Sequence, residues 1–109
     1  MDIEQLRNFA LSLADTEEGF PFGEETLVFK INGKIFLLTG LDAHPVQFNV
    51  KCDPDEVIEL RERYPEAVLP GYHMNKKHWN TIIVDGTLSN KQLQGFITQS
   101  YELVKGKKK

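Results

Sequence analysis

The run Thr26-Leu27-Val28-Phe29-Lys30-Ile31-Asn32-Gly33-Lys34-Ile35-Phe36-Leu37-Leu38-Thr39 sets the architecture of this chain. Two β-rich stretches flank Asn32-Gly33, a dipeptide suited to a two-residue turn with positive φ at both central positions. Thr26 to Ile31 and Lys34 to Thr39 therefore read as a β-hairpin. Such a turn fixes the pairing, with Ile31 opposite Lys34, Phe29 opposite Phe36 and Val28 opposite Leu37. One face then collects Leu27, Phe29, Ile31, Phe36 and Leu38, and the other Val28, Lys30, Ile35 and Leu37. Both faces are apolar. A helix layer covers one, and the second is expected to meet the C-terminal segments or another chain, which makes a homodimer or another protein partner an expectation.

Three helices surround the hairpin, each opened by a capping signal. Asp2 with Gln5 starts Ile3 to Leu13. Asp53 precedes Pro54, placed where a missing N–H costs nothing; Glu56 completes the box, and Cys52 staples to Val57. Ser89 with Gln92 opens the third, whose stripe of Leu93, Phe96, Ile97, Tyr101 and Val104 keeps helical spacing. Further strands are expected at Val46 to Lys51 and Thr81 to Val84, with a shorter one near Ala67 to Leu69. The order α-β-β-β-α-(β)-β-α gives an α+β fold, an antiparallel sheet with helices packed mainly on one face.

At 109 residues the chain is one domain's worth, read as a single domain over residues 1–104 and a flexible lysine-rich tail over 105–109. The lone Cys52 excludes an internal disulfide. The first twenty residues carry Asp2, Glu4 and Arg7 without a long apolar run, so neither a signal peptide nor a membrane span is expected and a cytoplasmic location is the default. The net charge of −3 opposes coating of nucleic acid by bulk positive charge. That charge is segregated. Asp2, Glu4, Asp15, Glu17, Glu18, Glu24 and Glu25 face a single base, Arg7, within residues 1–25, whereas residues 67–84 hold no acid before Asp85.

That acid-free segment contains Pro70-Gly71-Tyr72-His73-Met74-Asn75-Lys76-Lys77-His78-Trp79-Asn80, which mixes cations, amide donors and flat rings. Lysines and amides suit phosphate oxygens, and Tyr72 and Trp79 suit stacking on bases or sugars. The competing reading makes Trp79 and Tyr72 core anchors and gives His73 and Asn80 buried backbone groups to satisfy. With Pro21-Phe22-Gly23, Gly33-Lys34-Ile35-Phe36, Lys51-Cys52-Asp53-Pro54, Asp85-Gly86 and Ser100-Tyr101, this run resembles the MmcQ/YjbR family across nearly the whole chain. The resemblance implies a bacterial protein with a frataxin-like curved sheet backed by helices, of a family described as DNA-binding, and it supplies no catalytic residues to carry over. The expected interface is Tyr72, His73, Asn75, Lys76, Lys77, His78, Trp79 and Asn80, extended by Lys30, Lys34 and Lys51. Contact with DNA is expected to be weak, non-catalytic and mostly directed at the backbone.

Other chemistry has less support. His73 and His78 stand five apart, which does not bring two imidazoles onto one helical face, so no metal site is expected there. Asp15, Glu17, Glu18, Glu24 and Glu25 offer an acidic segment that could attract metal cations. Ser12, Ser89 and Ser100 lack a nucleophile-elbow context, and Cys52 reads as a small apolar residue. No cofactor fingerprint is visible, and the chain is read as a binding module rather than an enzyme. The alternatives are a protein-interaction or chaperone-like module using the second sheet face around Val28, Ile35 and Leu37, and metal binding by the acidic segment.

Overall fold

In a computed structural model that describes residues 1–71, 75 and 77–106, the elements run α1 (Ile3–Ser12), β1 (Glu17–Gly19), β2 (Thr26–Ile31), β3 (Lys34–Gly40), β4 (Gln47–Lys51), α2 (Pro54–Arg63), β5 (Val68–Pro70), β6 (Trp79–Ile83) and α3 (Asn90–Lys105). The strands form one antiparallel sheet in the order β1-β2-β3-β4-β6-β5. All three helices lie on one face, so the fold is α+β as expected. The outer strand β1 is an addition to the sequence reading, and α3 runs on to Lys105, into the segment read as a tail.

The caps form where side chains can reach the free amides of a first turn. Asp2 and Gln5 make a reciprocal box, as do Ser89 and Gln92. Asp53 also caps its helix, but it accepts from the N–H of Asp55. Glu56 does not close the expected box; its carboxylate instead accepts from Gln99 of α3 at 3.2 Å.

One core fills the space between sheet and helices. The sheet contributes Leu27, Phe29, Leu37, Phe48, Val50, Val68 and Ile82, and the helices contribute Leu6, Ala10, Val57, Leu93, Ile97 and Tyr101. Each large side chain buried here is worth about 1.5–3 kcal/mol against exposure, and together they offset the conformational entropy of ordering the chain.

The hairpin departs from the expected register. Asn32 and Gly33 do adopt positive φ, 54° and 78°, and Ile31 does face Lys34. The pairing then shifts by one residue, so that Phe29 lies opposite Leu37 and Val28 opposite Leu38. Phe36 is the extra residue of a β-bulge, which turns two consecutive side chains, Phe36 and Leu37, into the core at 0% exposure. Leu38 moves to the open face. That face therefore carries Val28, Lys30, Ile35 and Leu38, and the C-terminal α3 packs on the opposite side, across β3 and β4. With Val28 at 1% and Leu37 at 0% exposure, no open apolar patch forms around Val28, Ile35 and Leu37.

Candidate nucleic-acid interface

Antiparallel pairing sorts the connections between two ends of the sheet. At one end lie the Asn32-Gly33 turn, the last residue of β4 and the connection leading from β5 into β6. Lys30, Lys34, Lys51 and Lys77, far apart in sequence, are thereby brought to the same end. Strand alternation puts Lys30 and Lys51 on the open face, Lys51 directly opposite Trp79. This end also holds acids: Asp15 in the connection before β1, Glu17 opposite Lys30, Asp53, which is occupied as a cap, and Asp55 and Glu56 in the first turn of α2. At the other end the connections contain Glu24, Glu25, Asp42, Glu66 and Asp85, and no lysine or arginine. There the N–H of Thr87 holds the Asp85 carboxyl below its ordinary range.

The segment before β6 is organised around Asn75. Its side-chain oxygen accepts the N–H of Lys77 at 2.9 Å, and its carbonyl accepts the N–H groups of His78 and Trp79. The carbonyl of His78 in turn accepts the N–H of Cys52 at 2.6 Å, tying this turn to the end of β4. Lys77 and Asn75 are exposed and His78 is half-buried. Tyr72, His73 and Lys76 lie outside the described residues.

Trp79 and Asn80 sit inside. β6 starts two residues earlier than its β-rich core suggests, placing Trp79 on the open face at 9% exposure and Asn80 on the helix face at 0%. Gly71 packs against the Trp79 backbone so closely that a Cβ there would meet the Trp79 carbonyl oxygen at 3.1 Å. Asn80 is satisfied on both sides of its amide. Its oxygen accepts from Nε of Arg61 at 2.6 Å, while its nitrogen donates to the Val57 carbonyl at 3.4 Å and to Cys52 Sγ at 3.6 Å. Arg61 also reaches the Trp79 carbonyl. The two residues brace the turn and do not form its surface. Sequence reasoning passed over Arg61, whose only signal was its position one helical turn beyond Val57 on α2.

The remaining candidates take structural positions. Burial pushes the Cys52 thiol up to about 11, leaving it protonated and unreactive at neutral pH. Arg7 makes a two-pronged pair with Glu18, with N–O distances of 2.7 and 2.6 Å, which lowers the Glu18 carboxyl and fastens α1 to β1. Among the described residues no three His, Cys, Asp or Glu side chains converge as metal ligands. Ser12 donates to the Phe9 carbonyl, Ser89 caps α3, and Ser100 bridges Phe36 and Lys51. No described helix is long and apolar enough to cross a membrane.

Comparison with known proteins places this geometry among relatives. The sequence model of the YjbR family matches residues 11–103. YbdF of Escherichia coli O157:H7, described as uncharacterised, is 41% identical over 102 residues, which are 93% of this chain and 82% of that protein. YjbR of Escherichia coli K12, described in the same way, is 24% identical over 94% of this chain and 86% of its own length. The crystal structure of Deinococcus radiodurans protein DR2400, with a DUF419 domain, superposes with a TM-score of 0.89 at 39% identity, covering 94% of this chain and 77% of that one. A Pseudomonas syringae crystal structure matches with a TM-score of 0.77 at 27% identity, over 95% and 99% of the two chains.

Proposed function

This chain belongs to the YjbR family, and from that premise we propose that it is a non-catalytic module that contacts the phosphate backbone of DNA with the lysine-bearing end of its sheet. The observation that carries this reading is the convergence of Lys30, Lys34, Lys51 and Lys77, which the strand register brings to one end although they span nearly fifty residues of sequence. Asn75 adds an exposed amide and His78 a half-buried imidazole, while Trp79 and Asn80 hold the turn from beneath and make no base contact. Affinity is modest and indifferent to sequence, because among the described residues of this interface the exposed groups are point charges and the one aromatic, Trp79, is buried.

Four phosphate contacts give a slope of log affinity against log salt of about −3.6 on duplex DNA. The test is titration of a labelled duplex at several salt concentrations with a chain ending at Val104, which removes the terminal lysines. The Lys51→Glu, Lys77→Glu double variant is expected to bind at least tenfold more weakly, with a slope reduced to about −1.8. Isotherms indistinguishable from the native protein's would remove this end of the sheet as the interface.

A further inference from the structure

Two surface features at opposite corners of the molecule are complementary. The connection after β1 presents Phe20 and Phe22 at 49% and 65% exposure, a projection flanked by Glu24 and Glu25. On the other side of the molecule, a groove of about 350 Å³ on α2 is lined by Pro54, Val57, Ile58, Arg61 and Lys77, with Ile58 52% exposed. The first is an aromatic knob set among acids; the second is an apolar slot with Arg61 and Lys77 along one edge, away from Asp55 and Glu62 on the far side of Ile58. We infer that the knob of one copy seats in the α2 groove of a second copy, giving a head-to-tail self-association.

The fold prevents the two from meeting within one chain. The knob follows β1, at one edge of the sheet and at its acidic end, whereas α2 packs against β5, at the other edge, and begins at the lysine-bearing end. A contact between different patches on identical chains is heterologous, and unless its rotation closes a ring it continues from copy to copy. An apolar insertion supplies the attraction, and pairing of Glu24 and Glu25 with Lys77 at the rim of the groove sets its orientation and makes it sensitive to salt. The patch is small, so association is weak and concentration-dependent.

Sedimentation equilibrium on the full chain over a wide concentration range tests this. The native protein is expected to show an average mass that rises with concentration at low salt and falls back at high salt. Phe22→Glu and Ile58→Glu, both at exposed positions and each checked for native circular dichroism, should each lose that rise. Mixed together they should form a one-to-one dimer, because the first retains an intact groove and the second an intact knob. A native mass that stays monomeric, variants that still associate, or a mixture that fails to complement would each overturn the inference. Duplex binding by Phe22→Glu, at concentrations where the native chain is monomeric and its Lys77 uncovered, should match the native protein, so this outcome separates from that of the DNA reading.

Discussion

The hydroxyl of Ser100 accepts the backbone N–H of Lys51 at 2.8 Å, so a side chain from α3 takes a rung in the hydrogen-bond ladder of the sheet. The same hydroxyl donates to the carbonyl of Phe36. The bulge at Phe36 ends the β3–β4 pairing at Leu37 and Val50, and the serine fills the gap that follows. Ser100→Ala leaves one donor and one acceptor unpaired in a buried place, and is expected to cost about 2–4 kcal/mol, read from urea unfolding. A loss below about 0.5 kcal/mol would mean that the two backbone groups close on each other unaided.

The Arg61–Asn80 bond behaves as a brace under the turn. Asn80→Leu removes the acceptor for Arg61 Nε and the donor to Val57 and Cys52, and a cost of about 3 kcal/mol is expected in the same assay. Asn80→Asp keeps the acceptor but turns a second oxygen toward the Val57 carbonyl and the sulfur. The ion pair it gains with Arg61 offsets part of that repulsion, so Asn80→Asp should cost less than Asn80→Leu.

Cys52 links stability to alkaline pH. Its thiol titrates at about 11 in the folded chain against 9.0 as the ordinary value, so between these the unfolded chain binds fewer protons and stability falls as pH rises. The contribution is intact below pH 9 and reaches about 2–3 kcal/mol of loss by the upper limit. Native protein should therefore lose more stability than Cys52→Ala between about pH 8.5 and about pH 11, compared by urea titration. Alkylation of the native thiol at neutral pH should be slow and should accelerate with denaturant.

Trp79 is the sole tryptophan and is 9% exposed, so its emission reports on the turn without labels. Duplex DNA should leave that emission largely unquenched even at saturating concentration, because the ring is not available for stacking. Strong quenching would place bases against the ring and contradict a purely phosphate-directed contact. Gly71→Ala forces its Cβ against the Trp79 backbone, and should cost about 1–3 kcal/mol and red-shift the emission.

The elements that could be read from the chain are those whose signals are local. Asp2 with Gln5 and Ser89 with Gln92 name their helix starts because the cap is made by residues three apart. The strand Glu17–Gly19 carries no β-propensity at all; it forms because β2 offers an edge and Arg7 clamps Glu18 from a helix. The bulge is equally silent, since Ile35, Phe36, Leu37 and Leu38 are all apolar and any register buries half of them. The loop composition drew attention to Lys77, His78 and Asn80 alike, yet only pairing of β6 with β4 turns Asn80 inward to Arg61 while Lys77 stays exposed. Convergence of Lys30 with Lys77 depends on four strands crossing in order, which no stretch of sequence displays.

The connections at one end of the strands hold five carboxylates and neither lysine nor arginine, whereas at the other end four lysines stand among acids that offset them, so the first end is the more negative of the two. If duplex DNA is the ligand, as proposed, repulsion from that end favours approach with the lysines forward within about a Debye length. Glu24→Lys with Asp42→Lys takes the net charge from −3 to +1 and makes the far end attractive as well, so Lys51→Glu should weaken duplex binding less in that background than in the native chain, compared by titration at low ionic strength.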